Sequence, residues 1–210
     1  MRYLPAPFNV IVQAFVDWWD ALFGMAAVSV VWLLCWVTII LGPPATFGLY
    51  YYANGLTHGK DPGFSGFIEG GRHFFFKSWL WMLLNLAALV VLSVSVVFYG
   101  QFDALWAFLL RGLMLATILT WLGTQFYALP YLMEQEKQQL RQALRNGLLT
   151  LLAAPVYSLI IMIGAAVMMV ISLLLVIPIV FGVPALISVL GTRAVLERME
   201  AFGVRERDGT

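Results

Sequence analysis

A run of 47 residues, from Asn146 to Thr192, contains no Asp, Glu, Lys, Arg or His. As one helix at 1.5 Å per residue it would extend about 70 Å, more than twice the roughly 30 Å hydrocarbon core of a bilayer. We therefore expect this run to cross a membrane and return. The chain is predicted to be an integral membrane protein.

The overall composition supports this prediction. Hydrophobic residues make up 62% of the 210 residues and charged residues 11%, whereas soluble domains average about 45–50% and about 25%. The net charge of +1 offers no bulk attraction to nucleic acid, which we do not expect as a partner. Cys35 is the only cysteine, so an internal disulfide is excluded. One membrane domain covering residues 1–210 is predicted, with the lipid bilayer as its first partner.

Further charge-free runs can each supply the roughly 20 apolar residues of a spanning helix. We predict an all-α, polytopic transmembrane bundle. Its crossings fall at about 22–41, 78–99, 104–131, 150–176 and 182–197. Residues 44–57 are apolar but short, so either they cross, giving six segments, or they re-enter or lie along the interface, giving five. Six is favoured, because a lipid-facing non-helical return would leave backbone groups without hydrogen bonds.

The basic residues suggest an orientation. Ten of the twelve Lys and Arg residues lie in three segments. These are Lys60, Arg72 and Lys77; Lys137, Arg141 and Arg145; and Arg193, Arg198, Arg205 and Arg207. Connections 100–103 and 177–181 carry none. The positive-inside rule then predicts a cytoplasmic C-terminus, and six crossings place the N-terminus in the cytoplasm as well, whereas five place it outside.

Three connecting segments are predicted to be helical. Residues 8–20 are expected to form a surface helix that leads into the first crossing. Residues 64–76 carry phenylalanines at helical spacing beside basic residues, which is typical of an interfacial helix, with a kink expected at Gly70-Gly71. Residues 134–146 alternate charged and amide side chains and are expected to continue the 104–131 helix into the cytosol.

Two proline-containing sequences are predicted to be helix-breaking turns. Gly42, Pro43 and Pro44 should end the first crossing, because proline lacks a backbone donor and the residue before it avoids the helical region. Gly182 and Pro184 repeat this pattern before the last crossing. So short a sequence similarity is compatible with an internal duplication, and it is also compatible with a chance similarity between two proline-containing membrane turns.

Small residues recur at every fourth position of the 104–131 crossing. Gly112, Ala116, Thr120, Thr124 and Ala128 form this row. Helices in lipid associate through close backbone approach at such rows, so we predict a helix-packing face. Packing within the chain is favoured over a homodimer contact.

Five polar side chains fall within two crossings and form a candidate polar membrane cluster. If 78–99 and 104–131 pair as an antiparallel hairpin, Asn85 and Gln125 lie at one depth and are expected to hydrogen-bond. The same register places Ser93 and Ser95 level with Arg111, near the outer side. An arginine at a helix centre costs about 2.5–3.5 kcal/mol on insertion scales, so Arg111 should reach water or a partner. A structural anchor is favoured over contact with an anionic solute.

The sequence lacks the signatures of a reaction. It contains no HExxH zinc helix, no phosphate-binding Gly-Lys loop and no paired aspartates. His58 and His73 have no acidic residue at metal-ligand spacing. The interior of the crossings holds no Asp, Glu or His, which argues against a proton-driven pump. We expect no catalytic residue, metal, cofactor or enzyme activity.

Several segments together resemble the YesL-like family of bacterial integral membrane proteins. They are Trp32 to Cys35 with Gly42 to Thr46; Phe64 to Trp79; Ala128-Leu129-Pro130; Arg141 to Asn146; and Gly182 to Arg198. The resemblance covers most of the chain, although the second proline of the first turn and the sparse N-terminal charges depart from the family pattern. It implies a bacterial inner-membrane protein linked to carbohydrate uptake, and it provides no catalytic residue.

Two functions follow as expectations. The first is an accessory or assembly partner for other membrane proteins, those of an uptake system among them. The alternative is a small solute transporter or channel in its own right, with Arg111, Ser93, Ser95, Asn85 and Gln125 lining a polar route.

Overall fold

The computed structural model describes residues 6–60, 62–175 and 182–203, without the side chains of residues 172–175. The predictions for connection 177–181, Arg205 and Arg207 therefore lie outside the described residues. Every regular secondary-structure element in these three ranges is a helix, which confirms the all-α prediction. The helices are α1 (Ala6–Asp20), α2 (Leu22–Val37), α3 (Gly42–Thr57), α4 (Gly63–His73), α5 (Phe75–Tyr99), α6 (Leu105–Glu134), α7 (Leu140–Ala153), α8 (Pro155–Leu175) and α9 (Val183–Ala201).

Two of the described helices, α5 and α6, are individually long and apolar enough to cross a membrane. The pairs α1–α2 and α7–α8 also qualify when each is taken as one bent span, with bends of 90° and 108°. The described residues thus supply two clear candidate spans and at most four. The number six stays a prediction.

The centre of the bundle is formed by α3 and α9, which pack against each other. Pro43 and Pro44 occupy the first turn of α3, and Pro184 the first turn of α9. Proline is tolerated there because the first amides of a helix have no intrahelical acceptor. Most of α9 is buried, and so is the N-terminal half of α3, the segment whose status the sequence left open.

The first turn lies earlier than predicted. Helix α2 ends at Val37, and Ile39 has φ 61°, a left-handed conformation that β-branched residues rarely adopt. Gly42, Pro43 and Pro44 begin α3 instead of ending a helix that runs to residue 41. The Thr38 hydroxyl donates to the Cys35 carbonyl at 2.7 Å, which satisfies one of the last carbonyls of α2.

Helix α4 packs on α3 through glycines. A Cβ at Gly70 would lie 2.5 Å from Tyr51 Cβ, and one at Gly48 would overlap the Phe67 carbonyl oxygen. The helix is not interrupted at Gly70-Gly71, where a kink was expected, because α4 continues through both residues and ends at His73. Glycine serves here to bring two helices together.

The largest correction concerns residues 134–176. Helix α6 ends at Glu134, and α7 turns back along it as an antiparallel hairpin, with Gly147 beside Thr124 and Leu151 beside Gly123. The expected extension of α6 through residue 146 is therefore wrong. So is the unbroken helix from 150 to 176, because α7 ends at Ala153 and α8 restarts at Pro155. Proline disfavours a helical conformation in the residue before it, and Ala154 has φ −134°.

Helix α1 is packed against α9 in the opposite direction. Val10 and Ala14 are buried, and Ala6 and Asn9 share a cleft with Leu196 and Glu200. Asp17 forms a two-pronged pair with Arg193, at 2.7 Å and 3.0 Å. Residues 8–20 are thus helical as predicted, and the helix packs on α9 at the centre of the bundle.

Candidate functional site

The antiparallel pairing of α5 and α6 brings Asn85 and Gln125 together. Asn85 Nδ2 lies 3.4 Å from Gln125 Oε1, the contact expected from the sequence. Two tryptophans complete the group: Trp81 Nε1 donates to Gln125 Oε1 at 2.8 Å, and Trp121 Nε1 donates to Asn85 Oδ1 at 3.1 Å. We name these four residues the amide–indole cluster. Sequence reasoning missed the two indoles, although both lie one turn from an amide.

The amide–indole cluster uses most of its own hydrogen-bonding capacity. Asn85 Nδ2 also donates to the Trp81 carbonyl at 2.8 Å, so both polar ends of this buried side chain are bonded. Gln125 Nε2 is buried without a hydrogen-bond partner. The polar atoms of the other three side chains are all hydrogen-bonded within the hairpin, so the Gln125 amide nitrogen is the exception in this cluster.

Arg111 is separate from that cluster. It is exposed, and its guanidinium carbon lies 3.5 Å from the position a Cβ on Gly100 would take, at the carboxyl end of α5. The unpaired carbonyls at that end favour a cation, as an anchoring role requires. Ser93 is exposed, and the Ser95 hydroxyl donates to the Val91 carbonyl of its own helix at 2.8 Å. Of the five residues of the predicted polar cluster, the structure therefore joins Asn85 and Gln125 by a direct contact and leaves Arg111, Ser93 and Ser95 outside it.

Only the C-terminal part of the row of small residues on α6 forms a helix-packing contact among the described residues. Thr124 and Ala128 are buried against α7, where a Cβ on Gly147 would lie 2.8 Å from the Thr124 carbonyl oxygen. Gly112 and Ala116 are exposed, and Thr120 is half-buried. The packing within the chain is thus located at the end of α6 that carries Glu134.

A second polar group, which was not predicted from the sequence, lies at the junction of α3 and α6. Glu134, the last residue of α6, accepts a hydrogen bond from Asn54 Nδ2. Its Oε1 lies 3.6 Å from His58 Nε2, and His58 Nδ1 is 2.8 Å from the Asn54 carbonyl oxygen. We name these three residues the Glu134 cluster. The i,i+4 spacing of Asn54 and His58 was the one sequence signal for this group. Their partner Glu134 lies 76 residues after His58, so the sequence does not indicate that the three residues meet.

Two cavities open on either side of Glu134. One, of about 530 Å³, lies between the end of α3 and α4 and is lined by Lys60 and Glu69 among others. The other, of about 760 Å³, lies between the end of α6, α7 and the end of α9. We name the larger one the junction cavity. Its wall includes Tyr131 and Thr150, whose hydroxyls are 2.7 Å apart.

A third polar group lies where α8 meets α9. The Arg198 guanidinium stacks 3.8 Å from the centre of the Tyr157 ring and pairs with Glu197. The hydroxyls of Tyr127, Tyr157 and Ser158 are buried nearby without hydrogen bonds of good geometry. Buried hydroxyls of this kind are usual sites for ordered water.

These groups do not form a metal centre. Among the residues that the structure describes, no three His, Cys, Asp or Glu side chains converge in a way that would bind an ion. His73 lies apart, with its Nε2 3.0 Å from Gln138 Oε1.

No family model, no curated protein and no solved structure matches the chain. The function therefore has to be inferred from the residues and their arrangement.

Proposed function

We propose that this chain is a multi-pass membrane protein that acts as an accessory or assembly partner of other membrane proteins. The observation that carries the proposal is the separation of the polar residues in the α5–α6 hairpin. Asn85 and Gln125 are enclosed with two indoles, whereas Arg111 lies at the far end of α5 and Ser93 faces outward. A polar solute needs hydrogen-bonding groups that face one continuous passage, and these residues face different ways.

The surface of the hairpin supports a role in assembly. Over residues 86–119, large apolar side chains are exposed on both α5 and α6, as is the small-residue end of the row at Gly112 and Ala116. Such a surface fits lipid or the apolar face of another membrane helix. The basic segments favour a cytoplasmic C-terminus. The inner-membrane location and the link to carbohydrate uptake rest on the YesL-like resemblance.

A small solute transporter or channel is the second candidate. The buried Gln125 Nε2, which has no hydrogen-bond partner, favours it, because its two N–H groups are left as donors for a passing solute.

Site-specific photocrosslinking tests the assembly role. A benzophenone amino acid at Leu109 or Val94, both exposed on the hairpin, should give one discrete crosslinked band of defined partner mass in native membranes. Val156 and Leu159 of α8 are equally apolar and exposed, and they serve as matched control positions. Crosslinks that are equally diffuse at all four positions would contradict a hairpin-specific partner.

Flux measurements test the alternative. Proteoliposomes containing the chain should take up radiolabelled maltose and glycerol no faster than empty liposomes. Uptake that is well above that of empty liposomes and is abolished in a folded Arg111→Leu variant would replace the accessory role with transport.

A further inference from the structure

The junction cavity has the size and depth of a lipid-headgroup site. At about 760 Å³ it falls within the range of roughly 300–1,000 Å³ found for small-molecule pockets. It lies where α6 ends, at Glu134, and a spanning helix ends at the headgroup level of a bilayer. A lipid that enters it would keep its headgroup at the interface.

The wall of the cavity changes from polar to apolar along α7. Gln142, Asn146, Leu149 and Ala153 all line it, at helical spacing along one face. The two amides come first, close to the turn after α6, and the two apolar residues lie deeper. Met199 and Phe202 of the α9 end add further apolar surface. An occupant with a polar head and an apolar tail matches this order.

Charges of both signs lie at the polar end. Glu134, Glu136 and Lys137 all line the cavity. Glu136 and Lys137 are exposed and adjacent in the chain, so each is accessible to a ligand. Both contacts of the Glu134 carboxylate with Asn54 and His58 are made by Oε1. Gln135, on the same wall, has its Nε2 buried without a hydrogen-bond partner. The lining of the cavity thus offers carboxylates to a cation and an ammonium and amide groups to an anion.

We propose that the junction cavity binds a phospholipid with an ethanolamine headgroup. The primary ammonium pairs with Glu136 and Glu134, the phosphodiester with Lys137 and the amides, and the upper acyl chain lies against Leu149 and Ala153. A choline headgroup has no N–H to donate to a carboxylate, and a glycerol headgroup has no positive charge. The inference rests on the membrane insertion contained in the proposed function and is independent of the accessory role.

Native mass spectrometry of the full chain in mild detergent tests this proposal. The probes are phosphatidylethanolamine, phosphatidylcholine and phosphatidylglycerol with identical palmitoyl and oleoyl chains. One phosphatidylethanolamine should bind with an apparent Kd about tenfold below those of the other two, as one charge-assisted hydrogen bond would give. Equal Kd values for the three lipids, or a preference for phosphatidylglycerol, would overturn the proposal.

A charge-matched pair of variants locates the site. Glu136→Gln with Lys137→Gln should abolish the preference for phosphatidylethanolamine. Glu69→Gln with Lys60→Gln removes the same charges from the neighbouring cavity of about 530 Å³ and should leave the preference intact. The preference persisting in the first variant would refute the assignment. Size-exclusion profiles and thermal melting confirm that both variants are folded.

Two further experiments distinguish binding of the headgroup alone from binding of the whole lipid. Ala153→Phe fills the apolar end and should weaken all three lipids together. Soluble glycerophosphoethanolamine should compete only weakly with phosphatidylethanolamine, because it lacks the acyl chains. Competition as strong as that of the lipid would show that the site binds the headgroup alone, and it would overturn the proposal. Failure of these experiments leaves the photocrosslinking result untouched, so the two proposals are tested separately.

Discussion

Two indole N–H groups reach across from one helix of the hairpin to the other: Trp81 on α5 donates to Gln125, and Trp121 on α6 donates to Asn85. Each bond therefore fixes the register between α5 and α6. In lipid, helix association gains little from apolar burial, so these bonds and close backbone packing determine how the hairpin pairs. Deleting one amide leaves the opposite indole without an acceptor.

Asn85→Leu should consequently lower the free energy of unfolding by about 1–2 kcal/mol. In a double-mutant cycle with Gln125→Leu, we expect a coupling energy of about 1 kcal/mol, because the two side chains share partners. Unfolding in mixed detergent micelles with increasing SDS measures both values. Ser95→Ala is the control, since its hydroxyl bonds only within its own turn, and it should change the stability little. Strict additivity of the two leucine variants would contradict the cluster.

The sequence allowed the contact between Asn85 and Gln125 to be predicted because both lie in long charge-free stretches, 78–102 and 112–133, that are bounded by charged residues. Depth along such a helix follows from counting residues. The guanidinium carbon of Arg111 lies 3.5 Å from the position that a Cβ on Gly100 would take, a contact that the sequence did not predict. Rotation about the helix axis decides which side chains meet, and counting residues does not specify it. The Glu134 cluster needed the tertiary structure, because it joins Asn54 and Glu134 from helices far apart in the chain.

At the scale of elements, the hairpin of α6 and α7 shows how an apolar run can hide a chain reversal. Residues 146–153 carry no charge, so composition alone favours a crossing. The reversal depends on a glycine: a Cβ on Gly147 would lie 2.8 Å from the Thr124 carbonyl oxygen and 3.3 Å from the Ala128 nitrogen. Pro155, the first residue of α8, is the sequence signal for the break before that helix, and the prediction of an unbroken helix did not use it.

Gly147→Ala should therefore separate α7 from α6 and destabilise the fold by about 1–3 kcal/mol, the usual cost of overpacking. Gly112→Ala is the matched control on the same row of α6, because a Cβ there meets nothing within 4 Å. It should be neutral or slightly stabilising, since alanine is the better helix former. Comparing the two SDS unfolding midpoints measures the difference. Equal midpoints would mean that α7 does not pack on α6 in this way.

The pair between α1 and α9 makes a second prediction about elements. Asp17 and Arg193 form two hydrogen bonds, and their side chains are only about a quarter exposed, at 21% and 27%. Asp17→Ala and Arg193→Ala should show a coupling energy of about 1 kcal/mol, near the upper end for exposed ion pairs. Asp20→Ala, an exposed carboxylate at the end of the same helix, is the control and should have little effect. Proteolysis of the N-terminal segment should become faster in Asp17→Ala than in Asp20→Ala if α1 is released from α9.

At the scale of the whole molecule, polar contacts join several helix ends at the end of the bundle where α3, α4 and α6 finish. His73 at the end of α4 bonds Gln138 in the turn after α6, and Asn54 at the end of α3 bonds Glu134. The opposite end of the hairpin, around Gly100, carries Arg111. The end that carries Glu134 and His73 also holds three of the basic residues, Lys60, Arg72 and Lys137. The charges and the contacts therefore agree on which helix ends belong together.

Cysteine accessibility tests this arrangement in the intact molecule. In a Cys35→Ser background, single cysteines at Ser65 and Gln138 should react from one side of sealed inverted vesicles, and a cysteine at Gln101 from the other side. A membrane-impermeant maleimide added before and after detergent measures the sidedness. The physical reason is that α5, with 25 residues, is about 38 Å long and exceeds the hydrocarbon core, so its two ends emerge on opposite faces. Labelling of Gln101→Cys and Gln138→Cys from the same side would exclude α6 as a spanning helix, and the assignment of the junction cavity to the headgroup level would fail with it.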